Sequence, residues 1–200
     1  MNRLKISGFA GFASTFFVFA CILVAVASWS QFSWVKNALS DLGVQSGVTA
    51  VIFNSGLVIG GLLFIVFTIG LYRYAGNRFV GKVGAVVFVL ACTMLIAIGV
   101  FNESFKPTHY IVSVGFFVLM PVSLMILVAG FWMQGRRKLG AFTLALGVLA
   151  TSVWVLEFAF HYVSGVAIPE FASGLAGAFW VLVMSYLMIE ESSKRSLQLK

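Results

Sequence analysis

The chain has 200 residues, 61% of them hydrophobic and 10% charged, with a net charge of +7 and a mean hydropathy of +1.06. Ordinary soluble domains carry about 25% charged residues, and 19 charged side chains cannot cover the watered surface of a fold this long. Composition therefore excludes a soluble enzyme, a nucleic-acid reader, a disulfide scaffold and a disordered tail, and makes lipid the natural solvent. Cys21 and Cys92 both sit in apolar runs, with no CxxC or zinc-knuckle spacing, and read as packing residues.

A membrane span needs about 20 mostly apolar residues. Six segments qualify: Gly8 to Ser28, Val48 to Tyr72, Val80 to Phe101, His109 to Met133, Leu139 to Val163 and Pro169 to Ile189. Each is too long for a strand and lacks strict alternation, so each reads as a helix. The fold class is an all-α integral membrane bundle of six transmembrane helices, with residues 1–200 as one domain. The first run starts basic (Arg3, Lys5) and ends Ala-Val-Ala-Ser, but it is longer than a signal-peptide core of about 7–15 residues and reads as a retained span.

Between the first two spans, Ser30 to Gly43 reads as a short amphipathic helix lying over the mouth of the bundle. Phe32, Val35, Leu39 and Leu42 form its apolar stripe, and Lys36, Asn37, Ser40 and Asp41 its polar one. Gly56 and Gly60 form a GxxxG step that permits close helix approach. Pro121, inside the fourth span, predicts a kink. The second and sixth spans share a Phe-x-Ser-Gly-Leu start, Phe53 to Leu57 and Phe171 to Leu175.

Lys and Arg placement sets orientation. Eleven lie on the side that holds both ends of the chain, and only Lys36 and Lys106 lie on the other. Both termini are therefore expected in the cytoplasm of the cell whose membrane the chain spans, and the net positive charge is a topology signal. Asp41, Glu103, Glu157, Glu170, His109 and His161 all fall on the opposite, outer side. The positive-inside rule gives them no reason to gather there. Glu157 is the deepest, about 10 Å below the end of its helix at 1.5 Å per residue, and a carboxylate there should face the bundle interior or a wet cavity. His161 stands four residues later, on the same helix face. Ser113 stands one turn below His109, Asn54 adds an amide at similar depth, and Glu170 follows Pro169 at a helix start.

The run Asn37-Ala-Leu-Ser-Asp-Leu-Gly43 resembles the first-loop signature of a prokaryotic six-span family known as domain of unknown function 998. Ile52-Phe-Asn-Ser-Gly-Leu57 with Gly70-Leu-Tyr-Arg73 resembles its second helix. Gly99-Val-Phe-Asn-Glu103, His109 and Phe116 to Pro121 resemble its third and fourth. Glu170 matches an acid near the start of the last helix. The resemblance implies the six-span topology and groups Asp41, Asn54, Glu103 and His109 as one unit. That family is similar in layout to eukaryotic DRAM/Sfk-type proteins, some of them linked to lipid remodelling.

Three functions fit an outer cluster of acids and histidines. The first is metal-dependent hydrolysis of a membrane lipid, with His109 and His161 binding zinc and Asp41, Glu157 or Glu170 as third ligand. A remaining carboxylate would then act as general base, with Ser113 or Ser40 supporting an oxyanion. Asp41, Glu157 and Ser113 are the candidate catalytic residues, and Asn37, Ser40, Asn54, Glu103 and Glu170 the candidate pocket. The second is ion- or proton-linked transport. The third is a lipid-binding or structural role. Membrane lipids are the expected partners in each, nucleic acid in none, and an oligomer stays open.

Overall fold

The computed structural model describes residues 3–76 and 78–198. Six long helices form the bundle: α1 (Arg3–Ser28), α2 (Val48–Tyr74), α3 (Phe79–Val100), α4 (Lys106–Met133), α5 (Arg137–Phe160) and α6 (Ala167–Gln198). All six are long and apolar enough to cross a membrane. The chain is a polytopic membrane protein, because a backbone in hydrocarbon must satisfy its own hydrogen bonds. Each helix packs on the next in sequence, and α6 closes the ring on α1.

Small residues set the tight approaches. Gly56 and Gly60 of the GxxxG step lie against Cys21 and Val18 of α1, where a side chain would have no room. The core divides into two apolar clusters. One surrounds Phe67, Phe88, Leu124, Leu127, Trp180 and Met184. The other surrounds Leu42, Phe53, Leu57, Leu95, Ile98 and Val112, close under the α1–α2 loop.

Several helix ends differ from expectation: α1 starts at Arg3 rather than Gly8 and α4 at Lys106 rather than His109, and two further ends have a visible physical reason. The fifth helix stops at Phe160 rather than Val163, because His161 takes a left-handed conformation (φ 45, ψ 50) and turns the chain. The sixth runs past Ile189 to Gln198, carried by Glu190–Lys194 and Glu191–Arg195 pairs one turn apart. At Pro121 the backbone continues as one helix from Lys106 to Met133.

The two ends of the bundle have different chemistry. The α2–α3 and α4–α5 connections share one end with the start of α1 and the close of α6; this is the basic end. The α1–α2, α3–α4 and α5–α6 loops build a cap at the other. Within the cap, the expected amphipathic helix is shorter than its sequence span. Leu39–Val44 forms a 3₁₀ helix, and residues 30–37 form turns. Side chains compete with the backbone there. Asn37 Oδ1 accepts from Ser33 N at 2.9 Å, and Asp41 Oδ2 accepts from Ala38 N at 3.0 Å.

Candidate lipid groove and its polar cap

The cap is stitched from three loops by polar groups that converge on the 3₁₀ helix. Asp41 Oδ2 also accepts from Asn37 Nδ2 at 2.7 Å, which locks the turn. Glu170, in the first turn of α6, accepts from Leu39 N at 2.6 Å. It thereby satisfies one of the backbone donors that every helix start leaves free. Ser40 Oγ donates to Glu103 Oε1 at 2.9 Å. Asn54 Nδ2 donates to the Gly43 carbonyl at 2.9 Å, and Asn102 Nδ2 reaches the same oxygen at 3.3 Å. A Cβ at Gly43 would stand 2.6 Å from Asn54 Oδ1, so a side chain there would push the amide aside.

The α5–α6 loop lies across this assembly. Gly165 N donates to Val35 O at 2.7 Å and Ala167 N to Asn37 O at 2.9 Å. Gly165 has no space for a side chain, because a Cβ would meet the Lys36 carbonyl carbon at 2.5 Å. Asn37, Ser40, Asp41, Asn54, Glu103 and Glu170 are thus brought together, each committed to a hydrogen bond that holds the cap.

His109 is buried at the start of α4. Its Nδ1 lies 2.7 Å from the Phe101 carbonyl, a contact that only an Nδ1–H makes favourable. That tautomer leaves Nε2 as an acceptor. Ser113 Oγ lies 3.3 Å from it, in position to donate. Both ring nitrogens are therefore engaged. His161 sits apart, exposed at the end of α5. Among the described residues, no three His, Cys, Asp or Glu side chains are grouped to hold a metal ion. His161 shares a hollow of about 540 Å³ with Glu157, Phe158 and Tyr162. Glu157 and His161 thus face the same space, as their spacing suggests, but form no ion pair.

A groove of about 980 Å³ runs down the seam between α4 and α5. Its α4 wall is one helical face: His109, Ser113, Phe117, Pro121 and Met125, with Tyr110, Val114, Val118 and Val122 beside them. Thr151, Trp154, Val155 and Phe158 form the α5 wall. The seam opens because α5 buries Thr143, Leu146, Gly147 and Ala150 at its start but only Glu157 further on. Across the groove, Trp154 and Phe117 meet at a tilt of 54° with centroids 4.8 Å apart. Ser40, Glu103, Lys106 and Glu170 line the cap end.

A smaller apolar cavity of about 110 Å³ lies behind the groove and shares Ser40, Ser113, Phe117 and Glu170 with it. Of the residues lining the groove, the sequence reading names Ser40, Glu103, His109, Ser113 and Glu170 as site candidates but not Lys106, Thr151 or Trp154. The three-and-four spacing of Lys106, His109, Tyr110, Ser113 and Phe117 marks their shared face.

Six apolar spans, a cap built on carboxylate and amide contacts, and a lateral groove define a six-helix membrane protein with one capped end. Residues 12–186 match the family described as "Protein of unknown function (DUF998)". The chain belongs to that family. No curated protein and no solved structure matches it.

Proposed function

We propose that the protein binds a membrane lipid, with an acyl chain along the α4–α5 groove and its polar portion under the cap. The observation that carries this is the groove itself: apolar walls along the helices, and Ser40, Glu103, Lys106, His109 and Ser113 at one end. Lipid sites combine a large apolar surface with a few polar groups that fix orientation. From His109 to Ile126 the α4 wall is about 25 Å long at 1.5 Å per residue, enough for an extended chain within a hydrocarbon core of about 30 Å. With the basic end in the cytoplasm, as the Lys and Arg asymmetry favours, the polar end of the groove meets the outer headgroup layer.

The test is to fill the groove. Val118→Trp should lower binding of a photo-crosslinkable phospholipid by about tenfold, the equivalent of 1.4 kcal/mol. Val51→Trp, on an exposed face of α2, should leave it unchanged. Equal labelling of both variants overturns the reading.

A second reading, hydrolysis of the bound lipid, is favoured by one contact chain: Ser113 Oγ to His109 Nε2, and His109 Nδ1 to Phe101 O. Nucleophile, base and orienting acceptor stand in that order. Ser113 would add to an ester carbonyl while His109 takes its proton and returns it to the departing alcohol. Water would then release the acid and restore the serine. The zinc version of this chemistry needs His109 to give up one of its two partners and His161 to move toward it. A fluorophosphonate probe that labels the wild type but not Ser113→Ala or His109→Ala supports the serine version. Labelling that persists in Ser113→Ala sinks it.

A further inference from the structure

Glu157 is the one cap-side acid that the stitching leaves out. It is 5% exposed, and its Oε2 is buried without a hydrogen-bond partner. A buried, unpaired carboxylate is costly in any protein and more so near hydrocarbon, so the site calls for a counter-charge.

Glu157 lines the hollow of about 540 Å³ at the end of α5. This space is far too large for a bare ion, and a single carboxylate is a poor cage for a divalent cation, which takes six or more oxygens. Its other walls suit an organic cation. Phe158 and Tyr162 line it with Glu157; Val35, Val163 and Val166 add apolar surface, and His161 and Ser164 are the other polar side chains on its wall. Carboxylate and aromatic faces together are a recurrent way to hold an ammonium group. Burial, and then the Glu157 charge, push the Tyr162 phenol above its usual range. Phe158 and Val166 also line the lipid groove. The two spaces are therefore neighbours on one wall, and Lys106 supplies a cation to the groove side.

We propose that the Glu157 hollow is a headgroup subsite for an alkylammonium group, and that its ligand is a zwitterionic phospholipid whose chain lies in the adjoining groove. The subsite rests on the lipid-binding reading and adds the headgroup class to it. The phosphate of such a lipid faces Lys106, and its ammonium faces Glu157 between the two rings.

Native mass spectrometry on the purified full chain tests this with three probes of identical acyl chains: phosphatidylethanolamine, phosphatidylglycerol and diacylglycerol. The wild type is expected to retain phosphatidylethanolamine about tenfold better than phosphatidylglycerol. Glu157→Gln should bring the two within about twofold while leaving diacylglycerol unchanged. No preference in the wild type, or a preference that survives Glu157→Gln, overturns the subsite. Val118→Trp should weaken all three probes alike. If it weakens none while Glu157→Gln still erases the preference, the groove reading falls and the ammonium subsite stands. Should Glu157→Gln fail to fold, competition on the wild type decides. Soluble phosphoethanolamine must displace phosphatidylethanolamine, and glycerol 3-phosphate must not; equal displacement overturns the proposal.

Discussion

The two ends of the bundle use their acids in opposite ways. At the basic end, Glu190 pairs with Lys194 at 2.6 Å, and Glu191 pairs with Arg136 at 3.5 Å and with Arg195. The Arg136 guanidinium also lies 4.4 Å from the Tyr74 ring centre. At the cap end, Asp41, Glu103 and Glu170 accept from backbone N–H, amide or hydroxyl donors, and among the described residues no cap acid forms an ion pair. Exposed ion pairs are exchangeable and weak, since water and salt screen them and long side chains lose freedom to meet. A carboxylate bonded to a backbone N–H is directional and fixes where the chain must run. The basic end holds its acids in exchangeable ion pairs; the cap end uses its acids to set shape.

Substitution separates these roles. Asp41→Ala leaves Asn37 Nδ2 and Ala38 N without their acceptor, and the cap should lose about 2–3 kcal/mol, the cost of orphaning donors bonded to a charged group. Thermal unfolding in detergent measures it, and the same variant should weaken retention of groove lipid. Glu191→Ala removes two pairs on the other surface and should cost at most about 1 kcal/mol, less in high salt. A larger loss for Glu191→Ala than for Asp41→Ala would reverse the comparison between the ends.

Much of the fold is legible in the sequence because lipid leaves few options. Six runs of sufficient length must be helices, and Gly56 with Gly60 announces a close contact that α1 supplies. The cap is legible only in part. The family resemblance groups Asp41, Asn54, Glu103 and His109, and all four lie at the same end of the bundle. Asn37 also stands out, but its bond to Ser33 N turns the chain where an amphipathic pattern suggests a helix. Hydrophobic spacing cannot register that competition, because it counts faces and ignores side chain–backbone bonds. The Ser113–His109 contact is visible as a one-turn spacing. Its orienting acceptor, the Phe101 carbonyl, is a backbone atom that no residue type signals.

By itself the sequence determined the class of solvent, the number and approximate limits of the spans, and the gathering of both histidines and the acids other than Glu190 and Glu191 at one end. These follow from composition, length and charge, which act locally along the chain. Only the tertiary structure decided what each polar group does. It commits Asp41, Glu103 and Glu170 to donors on the cap, separates His161 from His109, opens the α4–α5 seam and leaves Glu157 Oε2 without a partner. Those outcomes depend on which loop crosses which. The crossing at Gly165 turns on contacts between residues more than a hundred positions apart, where no local pattern reaches.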